Sequence, residues 1–116
     1  MIPLEQNKLV ILWLSADKRA AIEMALSYAR DSLLYGWWDA VELLLWGPPV
    51  EAAVTDETLL QELRLDMSVG VRVSACLDCA ALYGAAPRLQ EEGIDVRGLG
   101  AELTSLLKNC VPVLLI

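Results

Sequence analysis

With 116 residues and a formal net charge of −7, the chain suits one hydrophobic core rather than two. That acidity repels nucleic-acid phosphates, and no Lys/Arg stripe offsets it locally, so a nucleic-acid reader is not expected. Histidine is absent, which removes the commonest general base, the usual partner of a catalytic Ser or Cys, and the commonest zinc ligand. The apolar share, 56% without glycine, exceeds the roughly 45–50% of ordinary soluble domains. The excess is expected to cover contacts between copies of the chain, as a homo-oligomer. No run reaches the roughly 18 consecutive apolar residues of a membrane helix, residues 9–14 and 111–116 being the longest candidates, so no membrane span is expected. Glu5 interrupts any basic leader and the apolar run before Asp17 is short, which argues against a secretory signal. The cytoplasm is the expected compartment, and three cysteines in a reducing setting argue against a disulfide framework.

Residues 9–14 read as a first strand buried on both faces, followed by Ser15 and Asp17, whose side-chain oxygens suit the orphan amides of a helix start. The helix is expected over residues 18–35, since Ile22, Ala25, Leu26, Ala29 and Leu33 recur at three-to-four spacing and Gly36 ends it. Residues 40–46 read as strand two. Gly47-Pro48-Pro49 is expected to break regular structure, and Thr55 to cap a helix that opens with Asp56 and Glu57 and buries Leu59, Leu60, Leu63 and Met67. Gly70 precedes strand three, residues 71–75; a short helix then starts near Leu77 and is interrupted around Gly84 and Pro87. Gly93 turns the chain into strand four, residues 94–97. A last helix over residues 101–109 is expected to turn Leu103, Leu106 and Leu107 inward, and residues 111–116 close the sheet, Pro112 placing that strand's start at an edge or a strand end. The alternation predicts a single-domain α/β three-layer sandwich, a mainly parallel five-stranded sheet with helices on both faces.

In open α/β sheets ligands bind outside the carboxyl ends of the strands. Those ends bring together Ser15 and Asp17, then Trp46, Gly47, Pro48 and Pro49, then Cys76, Asp78 and Cys79, then Gly98 and Gly100. Cys76 is expected on the floor of that crevice, with Trp46 and the prolines as an apolar wall and the glycines allowing close approach to the backbone. The Gly98-x-Gly100 pair is too short for a dinucleotide fingerprint, so no cofactor is expected.

The thiols admit several chemistries. A thiolate is the reactive form: amides at a helix start favour it, whereas Asp78 and apolar surroundings oppose it. Arg72 shares a strand face with Cys76 but lies roughly 13 Å along the strand, too far for a direct pair. A thioredoxin-like motif normally opens the first long helix, not one after strand three. A zinc site from Cys76, Cys79 and Cys110 lacks a histidine fourth ligand, so no metal is expected. Plain packing is open for Cys76 and Cys79, and Cys110 is expected in the core. Trp13, Trp37 and Trp38 read as core or subunit contacts. Glu91 and Glu92 read as solvated charges, while Glu42 stands inside an apolar strand, away from its carboxyl end.

Three segments carry a resemblance through nearly the whole chain: Leu44-Leu45-Trp46-Gly47-Pro48-Pro49; Gly70-Val71-Arg72-Val73-Ser74-Ala75-Cys76-Leu77-Asp78-Cys79-Ala80; and Glu92-Gly93-Ile94-Asp95-Val96, with Gly100 before a Leu-rich helix. In these the chain resembles the DsrE/DsrF-like family of small sulfur-relay proteins, with a flavodoxin-like arrangement of layers. The resemblance implies a persulfide carrier or sulfurtransferase-like protein, free of histidine-based catalysis, that accepts sulfane sulfur on Cys76, with Cys79 as resolving thiol. It also implies trimers or hexamers, and donor and acceptor proteins for the sulfur. The alternative is a non-catalytic oligomeric binding module whose cysteines only line the crevice.

Overall fold

The computed structural model describes residues 7–116, so Glu5 lies outside the described residues. Strand β1 (Lys8–Trp13) is buried on both faces from Leu9 onward, as a parallel strand between helical layers requires. Asp17 then accepts the amides of Arg19 and Ala20 and caps a continuous helical stretch, α1 (Lys18–Ala20), a π-helical turn (Ala21–Leu26) and α2 (Ser27–Leu34). Ala25, Leu26 and Ala29 are buried along it, as their spacing predicts. Strand β2 (Ala40–Leu45) follows, then α3 (Pro48–Thr55), α4 (Glu57–Ser68), β3 (Arg72–Cys76), α5 (Leu77–Tyr83), α6 (Ala86–Glu91), β4 (Asp95–Arg97), α7 (Gly100–Lys108) and β5 (Val113–Leu115).

The five strands are parallel, in the order β4-β3-β2-β1-β5. The crossovers from β1 to β2, β2 to β3 and β3 to β4 all step the same way. Right-handed crossovers that step one way place their helices on one face. Accordingly Leu9, Ile11, Trp13, Leu43, Leu45 and Val73 of the strands pack with Leu26, Leu59, Leu63, Ala80 and Leu89 of the preceding helices. The last crossover runs back from β4 past β1 to β5. Its step is reversed, so α7 lies on the opposite face, where Leu103 and Leu106 cover Val10, Leu12 and Leu44. The result is the expected three-layer sandwich.

Several local expectations are corrected. Pro48 and Pro49 open helix α3 instead of breaking regular structure, because the first helical turn has no use for the amide N–H that proline lacks. Asp56, not Thr55, caps α4, its carboxylate accepting the amides of Thr58 and Leu59, while the Thr55 hydroxyl donates to the Glu51 carbonyl. Leu107 is exposed, because α7 meets the sheet along a narrow stripe of Leu103 and Leu106. Cys110 is likewise exposed and outside the core: with φ 56 it makes the left-handed turn after α7, at the start of an edge strand. Glu92 is not simply solvated, since Arg64 of α4 grips both its oxygens at 2.8 and 2.9 Å. Trp13 is core, whereas Trp37 is exposed and stacks on Tyr35 at 5.3 Å.

Candidate functional site

After β3 the chain turns to the face carrying α5, and after β4 it turns to the opposite face carrying α7. Neighbouring strands whose connections leave in opposite directions open a crevice between their carboxyl ends, and ligands of such sheets sit there. Cys76 is the last residue of β3 and pairs in register with Arg97, the last residue of β4. Both flank the switch point.

Cys76 is 5% exposed and belongs to the buried cluster on the α7 face, with Leu44 on the neighbouring strand and Leu99 after β4. Cys79, in the first turn of α5, is half-buried and touches the packing on both faces of the sheet. The Gly47 N–H donates to Cys79 Sγ at 3.3 Å. Gly47 holds φ +76, a left-handed backbone that glycine adopts without penalty, and this turn from β2 into α3 presents its amide to the sulfur. Burial pushes the Cys79 thiol above its ordinary value; Gly47 pulls it down, while the adjacent Cys76 thiol and the Asp78 carboxylate push it up again. Both cysteines are free thiols.

The other expected site residues divide. Trp46 is half-buried and packs in the same cluster as Cys76 and Cys79, so it forms one wall of the site. Pro49 is buried at the start of α3, and Pro48 and Asp78 are exposed. Gly98 and Gly100 flank the buried Leu99, whose side chain rather than the glycines meets Cys76. Ser15 and Asp17 serve the helix start: the Ser15 hydroxyl accepts the Asp17 amide at 3.0 Å and Asp17 caps α1. Cys110 precedes β5 and so lies at the opposite end of the parallel sheet from Cys76. Among the described residues no three His, Cys, Asp or Glu side chains gather as a metal-holding group.

Arg97 is the neighbour of the candidate site that a strand-by-strand reading does not find. Period-two alternation puts Asp95 and Arg97 on one face, but only the pairing of β4 with β3 sets them beside Ser74 and Cys76. Its guanidinium turns away from the carboxyl ends of the strands. It donates to Ser74 Oγ at 2.6 Å, Glu42 at 3.1 Å and Glu102 at 2.7 Å, and also meets Asp95. Glu102, then Glu42 and Asp95, hold it firmly in the charged form. Lys8 adds a second cation 3.5 Å from Glu42. Glu42 is 2% exposed, and a carboxylate at such depth persists only when paired; its place in an apolar strand was the one sequence signal of this network. Two cavities open elsewhere. One of about 410 Å³ lies at the amino-terminal end of β3 and β4, bordered by Gly70, Arg72 and Asp95; an apolar one of about 490 Å³, bordered by Met24, Tyr28, Trp38 and Leu114, lies against β5. Neither is lined by a cysteine.

The chain is similar to a solved structure described as a conserved protein of unknown function, BT1422 from Bacteroides thetaiotaomicron, with 34% sequence identity, a TM-score of 0.92, and coverage of 95% of this chain and 95% of that one. No family model and no curated protein matches it.

Proposed function

Because the chain belongs to the same family as the conserved protein of unknown function BT1422, whose name carries no chemistry, we propose a function from the site itself: sulfur handling in the cytoplasm, with sulfane sulfur carried as a persulfide on the Cys76/Cys79 pair. The observation that supports it is the presence of two free thiols within one helical turn at the switch point, one of them accepting a backbone N–H. The resemblance to DsrE/DsrF-like sulfur-relay proteins points the same way. The chemistry is displacement at sulfur. A thiolate attacks the terminal sulfur of a donor persulfide, a new S–S bond forms, the donor S–S bond breaks, and the donor leaves as a thiolate.

Inorganic polysulfide followed by intact-mass measurement tests the reading. The wild-type protein is expected to gain about 32 Da per sulfur taken up, and the Cys76→Ser/Cys79→Ser double variant to gain none at these positions. A wild-type protein that keeps both thiols unmodified sinks the proposal. That result favours the second reading, a non-catalytic binding module, which the burial of Cys76 in the apolar cluster with Leu44 and Leu99 supports.

Self-association belongs to the same proposal. Leu107 on α7 and Leu115 on edge strand β5 are exposed, as are Leu34, Tyr35 and Trp37 around the end of α2; Tyr35 and Trp37 stack at 5.3 Å, and an exposed aromatic pair suits a contact surface. Light scattering at micromolar concentration is expected to give the mass of a trimer or hexamer. A monomer mass across that range refutes assembly.

A further inference from the structure

We infer that sulfane sulfur enters this site at Cys79 and that Cys76 stands behind it, the reverse of the order that the family resemblance implies; the inference rests on the sulfur-handling reading above. Displacement at sulfur needs the attacking thiolate, the transferred sulfur and the leaving sulfur nearly in line, so the nucleophile must present open space opposite its own Cβ. Cys76 does not. It is 5% exposed, in the buried cluster that Leu44 of β2 and Leu99 after β4 join from either side of β3. Cys79 lies one turn further out, is half-buried, and is preceded by the exposed Leu77 and Asp78.

Among the described residues, the backbone donor directed at a thiol of this site goes to Cys79, the Gly47 N–H at 3.3 Å. A hydrogen bond from an amide stabilises a thiolate more than a thiol, and it is fixed in place by the turn at Gly47 and the start of α3. In the loading step Cys79 releases its proton to water. Its sulfur then bonds to the terminal sulfur of the donor, and the donor departs as a thiolate that takes up a proton. No electrons enter or leave the pair.

The full chain carrying Cys76→Ser or Cys79→Ser, treated with inorganic polysulfide and mapped by peptide mass spectrometry, tests the order. In the first minutes Cys79→Ser is expected to load at Cys76 about tenfold or more slowly than Cys76→Ser loads at Cys79. The opposite pattern, or equal loading in both variants, overturns the order while leaving sulfur handling in place. A wild type that loads at neither cysteine overturns both. A second measurement needs no variant: limiting iodoacetamide is expected to label Cys79 about tenfold faster than Cys76 in the native protein, with a rate that climbs with pH, since burial raises that thiol above its ordinary value. Faster labelling of Cys76, or a labelling rate at Cys79 that is flat with pH, overturns the inference.

Discussion

Replacing Arg97 by alanine is expected to destabilise the fold by about 3 kcal/mol, read as a lowered urea midpoint. The cause is the partner left behind. Glu42 lies at 2% exposure on the α7 side of the sheet, and Arg97 is its nearest cation at 3.1 Å. Without the guanidinium the carboxylate retains only Lys8 at 3.5 Å and the Ser74 hydroxyl at 3.3 Å. Removing one partner of a buried pair costs roughly 3–5 kcal/mol, and the lower end applies here because Lys8 still compensates. Glu102 and Asp95 lose their partner as well, but both reach solvent and add little. The double replacement Glu42→Leu with Arg97→Met is expected to recover most of the loss, since apolar residues of similar volume remove the desolvation cost together with the pair. An Arg97→Ala protein that unfolds within about 0.5 kcal/mol of wild type would show that the network contributes nothing to stability.

A comparably large effect is expected with pH, centred on Asp66. This residue of α4 is fully buried against α2, where Arg30 meets its Oδ1 at 3.0 Å while Oδ2 has no partner among the described residues. Burial pushes its carboxyl up to about 7; Arg30 opposes this, and Glu62 and Asp31 reinforce it. The unfolded carboxyl titrates near the ordinary value of about 3.9. Between these values the native protein holds a proton that the unfolded chain has lost, so stability falls as pH rises from about 4 to about 7 and levels beyond. The slope is at most about 1.4 kcal/mol per pH unit, a total on the order of 2–4 kcal/mol. Asp66→Asn keeps a neutral side chain throughout and is expected to abolish this component. The decisive quantity is the difference in urea midpoint between Asp66→Asn and wild type across that range, because other carboxylates, such as the Lys18-paired Asp56 whose pKa is lowered, contribute equally to both proteins. Parallel profiles for the two proteins would rule out Asp66 as the source.

The path from strand three to the cysteines was legible because each of its signals is local. The strand expected over residues 71–75, the helix start near Leu77 and the interruption around Gly84 depend on residues within one or two turns of each other, and the structure places them within a residue of expectation, at Arg72–Cys76, Leu77 and the left-handed Gly84. The helix at Pro48-Pro49 is ambiguous for an equally local reason: the same prolines end a helix or begin one, and only the following Val50, Ala53 and their burial against the sheet decide between the two.

Composition and periodicity were enough to require an α/β sandwich with apolar strands, capped helices and thiols at a carboxyl end, since burial and backbone hydrogen bonding act on each segment as it stands. They could not order the strands. The sequence is equally apolar in β1 and β2, and which strand lies beside which depends on the direction of each crossover and on contacts between residues far apart in the chain. That order put α7 alone on one face and opened the switch point between β3 and β4. It also set Arg97 beside Cys76, gathered Arg97, Ser74 and Lys8 around Glu42, and brought the Gly47 amide to Cys79 rather than to Cys76. Each of these is a contact across strands or layers, and so it exists only once the sheet has formed.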